Sequence, residues 1–544
     1  MTDQSASSAE APGDLAGAQE PPADFSRRAL ITGVAAGGIA GGGAAFLLRQ
    51  LMPQESPLTR RAEASVRALA DDTAMVEAIE RHLGLFLPEL HALPDDHDHQ
   101  AIRRAAEAAT EAGGGTVLLT RPTYELSAPV CLNGLHNVTF ESRSQSVIRA
   151  AEPIAALRAF VGEAAGVDAD GLPATDGGSR ITFRGITFDG GLVNGEELDE
   201  APFADYDEAG RRIEEEKGAF ARDSRKYAPD GAKLHQPRQA IQCAVFIAAN
   251  GDPSFVTGPT FRDISIENVR LLGIASLPVY LRGVRGFASV DDSYAYRCLD
   301  IGFTSCESVR FTRNRIEYSA DNGVSLSRGN SNVTCANNII TKAYSFGIHL
   351  GGFQGDEGPS HVSCTGNTVI HAGSAGINLY DAPKDVTITG NLISDVHRGA
   401  DGKSAGAHGY AVLIQGTADK FARNIVITGN NFVRAHRGGV CLVRNVEDVL
   451  ISSNIFRRIG LPSHPDGADT EMGAGWWNFA IGRPGPPTAD AKTVRRIVAN
   501  SNAMFEDRDA MLHRKPRRLY SVWTGGADII ATANYASYAH MEGS

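Results

Sequence analysis

The sequence predicts an all-β fold, a parallel β-helix, and three observations predict it. The first is a repeat of the form Φ-x-Φ-x-x-Asn-x-Φ, where Φ is apolar. It places Asn314, Asn338, Asn367, Asn391, Asn430 and Asn454 in one frame, with looser copies at Asn502 and Asn534. The steps 314 to 338, 367 to 391 and 430 to 454 are each 24 residues. The second is a companion motif nine residues after the Asn: Gly323-Val324-Ser325-Leu326, Gly347-Ile348-His349-Leu350, Gly376-Ile377-Asn378-Leu379 and Gly439-Val440-Cys441-Leu442. The third is composition: 544 residues, 42% of them hydrophobic and 59 of them Gly, enough for a large core broken by many turns.

Alternating apolar residues are strands with one buried face. Short strands at this period bury that face by stacking coil on coil, at the ~4.8 Å strand spacing. The recurring Asn then forms a ladder at one corner, where it tolerates the sharp turn and its amides bond one another. A β-propeller needs ~40–50 residues per blade, so the period argues against it.

Taken in order, the chain opens with a polar segment, residues 1–24. Phe25-Ser26-Arg27-Arg28-Ala29-Leu30 follows, and then an uncharged Gly/Ala-rich stretch, residues 29–48. This resembles a twin-arginine translocation signal, which implies the twin-arginine translocase as a partner and a periplasmic or secreted destination. The usual Phe two residues after the Arg pair is replaced by Leu30. No clear cleavage site follows, so cleavage and retention as an N-terminal membrane anchor both stay open. That route exports folded proteins, so the seven cysteines are expected as free thiols, most of them small core residues.

Residues 1–50 are therefore assigned to export, 51–94 to a helical linker and 95–544 to the β-helix domain. The domain should begin with a helix over 99–112, capped by Asp98 or a neighbour, that plugs the open end of the solenoid. A Gly run and the first strand, GGGTVLL at 113–119, come next. Looser repeats lie at 181–191 and 261–269. Between them, at about 190–240, sits an acidic insertion. From Asp189 to Lys233 it holds 13 acids and 7 Lys/Arg, a net of 7 − 13 = −6, half of the chain's −12. The overall charge argues against general nucleic-acid binding.

Together, the repeat, the Ala-rich cap helix and the Gly run resemble the right-handed parallel β-helix proteins of the pectate-lyase-like superfamily. The resemblance covers about 95–540. It implies carbohydrate as the partner, and a family of lyases, hydrolases, epimerases and non-catalytic adhesins. The polygalacturonase-like hydrolases carry Asn-x-Asp, Asp-Asp, Gly-His-Gly and Arg-x-Lys motifs in order along the helix, and that ordered set is not found here. Only Ala407-His408-Gly409 faintly resembles their Gly-His-Gly. Asp95-Asp96-His97-Asp98 is similar to a motif of alginate epimerases but falls in the cap, where it should not be catalytic.

Candidate chemistry follows from alternation. In each Gly-Φ-x-Leu strand the middle residue points outward, giving the column Ser325, His349, Asn378 and Cys441. Two residues past each Leu come Arg328, Gly352, Asp381 and Arg444, with Tyr380 beside Asp381. Uronate elimination needs a group to neutralise the carboxylate, a base for the C-5 proton and an acid for the leaving oxygen. Arg328, Arg444 and Asn378 would neutralise, His349 would be the base, and Tyr380 or Tyr410 the acid. An epimerase would use the same parts. A hydrolase would instead pair Asp381 with Asp356 or Glu357. Ser325, Arg444, Asp356, Glu357, His408 and Tyr410 complete the expected substrate contacts. The expected function is an exported, polysaccharide-active protein, a lyase or epimerase on an acidic glycan. The alternatives are a glycosidase and a non-catalytic glycan-binding envelope protein. No metal motif is evident, and calcium enters only as a bridge between an acidic glycan and the acidic insertion.

Overall fold

The computed structural model describes residues 80–151, 157–163, 177–191, 200–203, 216–220, 241–248, 261–274, 276–319, 321–351, 358–396, 409–417, 419–435, 438–459, 477–481, 494–505, 518–522 and 527–537. The export segment, most of the acidic insertion, Gly352, Asp356, Glu357 and His408 lie outside them. The chain divides into two compact units, Met1–Leu83 and Gly84–Ser544, and the solenoid is the second.

The solenoid is a parallel β-helix of three long sheets with 14, 13 and 12 strands. Each coil gives one strand to each sheet. In one coil these are Val309–Thr312 in sheet 1, Arg315–Ser319 in sheet 2 and Val324–Ser327 in sheet 3. The next coil pairs parallel to it, Val309 with Val333, Ile316 with Ile340 and Val324 with Ile348. The inward positions Val309, Phe311, Ile316, Val324 and Leu326 are all buried. Toward the N-terminal end aromatic rings fill the interior: Phe140 and Phe183 stack at 5.2 Å between centroids.

The corner between sheets 1 and 2 is an Asn ladder. Asn367 donates its backbone N–H at 2.8 Å and its Nδ2 at 3.0 Å to Oδ1 of Asn391. Its own Oδ1 accepts the same two bonds from Asn338, at 3.0 and 2.9 Å. The pattern runs from Asn314 to Asn534. One coil before Asn314, Ser293 takes the ladder position and donates its N–H to Asn314 Oδ1 at 3.0 Å. From Asn314 to Asn502 these amides are buried and satisfied along the stack, which is why Asn recurs.

Glycine recurs for a different reason, a close approach. A Cβ at Gly347 would lie 2.3 Å from Val369 Cγ1 and 2.7 Å from the Gly376 carbonyl oxygen.

All seven cysteines are free thiols, six of them buried. Burial pushes Cys298 and Cys306 up to about 12, so neither is a reactive thiolate at neutral pH.

The N-terminal end is plugged as the sequence predicts, with one difference in the segment before it. Helix α1 (Pro88–His91) precedes helix α2 (Asp98–Glu111). Helix α2 buries Ala101, Ile102, Ala105, Ala106 and Ala109. Its N-cap is His97, the neighbour of Asp98, and the His97 N–H donates to Gln100 Oε1 at 2.9 Å. Asp98 instead ties the helix to the first coil, accepting from the Glu125 N–H at 2.6 Å and from Arg121. Within the segment read as a helical linker, Leu85–Phe86 is already a strand, pairing with Thr116 and Val117 to begin sheet 1.

Candidate functional site

The outward column expected from the Gly-Φ-x-Leu motif runs down sheet 3. Ser325 pairs with His349, His349 with Asn378, Asn378 with Leu413, and Leu413 with Cys441. The strands are regular, so these side chains emerge on one face, one per rung.

His349 is the centre of this face. Its Nδ1 lies 3.0 Å from Asn378 Nδ2 on the next rung. Its ring stacks on Phe346 at 5.3 Å, with 16° between the planes. Gly351 makes room for it: a Cβ there would sit 2.6 Å from His349 Cε1 and 2.9 Å from Tyr380 Cβ. Tyr380 is therefore the neighbour of the imidazole. Arg328 joins the same point, because its backbone N–H donates to the Gly351 carbonyl at 3.0 Å.

Asn378 is 2% exposed, and its Oδ1 has no hydrogen-bond partner in the protein. Which amide atom faces His349 is an assignment from the network, and rotating the amide by 180° exchanges them. As placed, one buried amide atom bonds the imidazole and the other bonds nothing, an arrangement that needs explaining.

The other candidates separate into groups. Ser325 donates to Asp300 Oδ2. Asn322 Nδ2 donates to the same oxygen at 3.3 Å and approaches Ser325 Oγ at 3.1 Å. Asp381 is buried one rung past His349, and its carbonyl accepts from the Gly358 N–H at 2.7 Å. Arg444 is two coils beyond Asp381, with its carbonyl bonded to the Gly416 N–H at 2.8 Å. Tyr410 and Cys441 are fully buried in a small apolar cluster outside the solenoid core, with Ala375, Leu413 and Val443, and Phe346 packs against it. They floor the C-terminal side of the face rather than present groups to it.

Sequence reasoning missed Asp300, Asn322 and Phe346. A signal existed for Asp300: Asp300-Ile301-Gly302-Phe303 aligns with Gly323-Val324-Ser325-Leu326, so Asp300 stands where the motif has Gly. Phe346 directly precedes the motif Gly347, a position outside the Gly-Φ-x-Leu pattern.

Among the described residues no group of three or more His, Cys, Asp or Glu is placed to hold a metal ion. Among them, too, no helix is long and apolar enough to cross a membrane.

The chain is a right-handed parallel β-helix protein. A family model described as a right handed beta helix region matches residues 239–393. Solved structures with a similar course include PfbA, a surface adhesin of Streptococcus pneumoniae, at 15% identity over 84% of this chain and 93% of that one, with a TM-score of 0.46. A hyperthermoactive exopolygalacturonase from Thermotoga maritima is 10% identical over 77% of this chain and 86% of that one, at a TM-score of 0.41. The Azotobacter vinelandii mannuronan C-5 epimerase AlgE6 A-module is 15% identical over 84% of this chain and all (100%) of that one, at a TM-score of 0.39. No curated protein is similar to the chain in sequence.

Proposed function

We propose that this protein is an exported polysaccharide-active enzyme, a lyase or epimerase that acts on an acidic glycan lying across sheet 3. The observation that carries the reading is the Asn378–His349 pair, with its one unpartnered amide atom. With the amide turned so that Oδ1 accepts Nδ1–H, His349 Nε2 carries the lone pair that a general base requires. Asn378 Nδ2 is then the buried atom left to bond a substrate carboxylate. One amide fixes the tautomer of the base and neutralises the uronate.

The chemistry follows in balanced steps. The bound carboxylate acidifies the C-5 proton, and His349 Nε2 removes it. For elimination, the C–H electron pair forms the C-4–C-5 double bond, the C-4–O bond breaks, and the Tyr380 hydroxyl protonates the departing oxygen. For epimerisation, the Tyr380 hydroxyl returns a proton to C-5 from the opposite face. Arg328, joined to the same site through Gly351, adds positive charge near the carboxylate.

The test is a panel of acidic and neutral polysaccharides given to the full-length protein. Unsaturated-uronate absorbance, new reducing ends and uronate composition would be followed together. Absorbance with new ends, or altered uronate composition without new ends, supports the reading. New ends without absorbance would replace it with hydrolysis and direct attention to Asp381 and the loop carboxylates. Binding without turnover would replace it with a glycan-binding protein.

A further inference from the structure

The outer face of sheet 3 does not end at Ser325. Continuing toward the N-terminal end, Ser325 pairs with Gly302, Gly302 with Tyr280, and Tyr280 with Phe246. The Phe246 and Tyr280 rings lie 5.5 Å apart, tilted by 32°. The Arg158 guanidinium covers the far side of Phe246 at 3.7 Å from its centroid. Tyr280 is thus the last ring of a stack braced from behind. It leans across the next rung, where a Cβ on Gly302 would meet Tyr280 Cδ2 at 3.1 Å. Gly302 and Ser325 are the two smallest outward side chains of this run. They leave a shallow step between the Tyr280 ring on one side and the Phe346–His349 stack on the other.

The step has a polar floor. Asp300 and Asn322 are each 6% exposed, and Asp300 Oδ2 already gathers the Ser325 hydroxyl and the Asn322 amide. An aromatic face beside a carboxylate fitted with hydroxyl and amide partners suits an uncharged sugar. The apolar face of a pyranose packs on the ring, and its hydroxyls join the carboxylate network. The same carboxylate repels a uronate.

We propose that this step is a sugar subsite selective for a neutral residue, built from Tyr280, Gly302, Ser325, Asn322 and Asp300. It lies two rungs, about 10 Å, N-terminal of His349. The proposal rests on the reading of His349 as the site of uronate chemistry and sharpens its substrate class. The glycan is a heteropolysaccharide that carries neutral sugars near the uronate, not a pure polyuronate.

The test measures binding by the full-length protein to two probes: an oligogalacturonate, which is pure uronate, and a gellan fragment, in which a glucuronate is linked to neutral sugars. Wild type should bind the gellan fragment more tightly. Tyr280→Ala should lower that affinity about tenfold, leave oligogalacturonate binding unchanged and leave the melting temperature near that of wild type. Tyr280→Phe keeps the ring and should keep the preference. Asp300→Asn should weaken discrimination against oligogalacturonate. Equal affinity for the two probes, or a preference that survives Tyr280→Ala, overturns the subsite. Its failure is separable from that of the His349 reading, because the probe preference is an equilibrium measurement that needs no turnover, whereas His349→Ala is scored on turnover.

Discussion

Sheets 1 and 3 both carry polar residues on their outer faces, one rung above another, yet they do opposite things with them. On sheet 1 the charges answer one another across rungs. Arg184 meets Glu267 at 2.9 Å. Arg313 grips both Asp292 oxygens at 2.6 and 2.7 Å. Arg495 and Arg496 share Glu447, and Arg496 also holds Asp448 at 2.6 Å. Those bonds keep the Asp292 and Asp448 carboxyls below the usual carboxylate range. Sheet 3 has fewer charges, two aromatic stacks and a buried amide with an atom left over. If sheet 3 is the binding face, density of charge does not mark it. A face whose groups complete one another is finished, whereas one with an unmet buried bond is built for something else to complete.

The largest expected effect tests that contrast at its centre. Once a turnover assay exists, His349→Ala should reduce the rate by about 10²–10⁴-fold with glycan binding kept. A rate within threefold of wild type would remove the imidazole from the chemistry. Next comes the Asn corner, which sets the register of both faces. Asn391→Ala should cost roughly 3 kcal/mol in chemical denaturation, because it strands the Asn367 backbone N–H and takes the amide donor from the Cys364 and Thr389 carbonyls at once. A loss below ~1 kcal/mol would mean that water replaces the rung.

A smaller effect concerns sheet 2, where Asp395 is clasped by Arg434. Burial alone would raise that carboxyl, but the bonds from Arg434 and Ser394 outweigh it and leave it lowered. A lowered folded value means that its stabilisation is full above the unfolded carboxylate range, near ~4, and fades as the pH falls below it. The gap in melting temperature between wild type and Asp395→Asn should be constant above about pH 5 and shrink in more acidic buffer. A gap that widens on acidification would contradict the assignment. The smallest effect belongs to sheet 1. Arg313→Ala removes an exposed pair and should leave the melting temperature close to that of wild type, closer still in high salt, with no change in glycan binding. A clear loss of glycan binding would break the distinction between the two faces.

The sequence made the solenoid and the Ser325–His349–Asn378 column readable because each depends on strict period and alternation. An Asn that must bond the next Asn, and a Gly with no room for a Cβ, leave marks at fixed intervals. Alternation tells which way a side chain points but not what covers it. Cys441 and Tyr410 belong to the outward face, as expected, yet both are packed away in an apolar cluster. Asp300 was hidden because it occupies a position where the motif otherwise has Gly. The cap of the first helix was legible to within a residue: His97, the neighbour of Asp98, is the N-cap, while Asp98 bonds Arg121 and the Glu125 N–H.

The Asn ladder also turns the molecule into a ruler. From Asn314 to Asn534 each coil meets its neighbours through the same pair of amide bonds, so distance along the axis is counted in whole rungs of ~4.8 Å. A duplicated or deleted coil would shift everything beyond it by one graduation. The separation between Tyr280 and His349 is three such graduations. Chain length between ladder residues can vary freely in the loops, as the 24-, 29- and 39-residue steps show, while the graduation itself does not move.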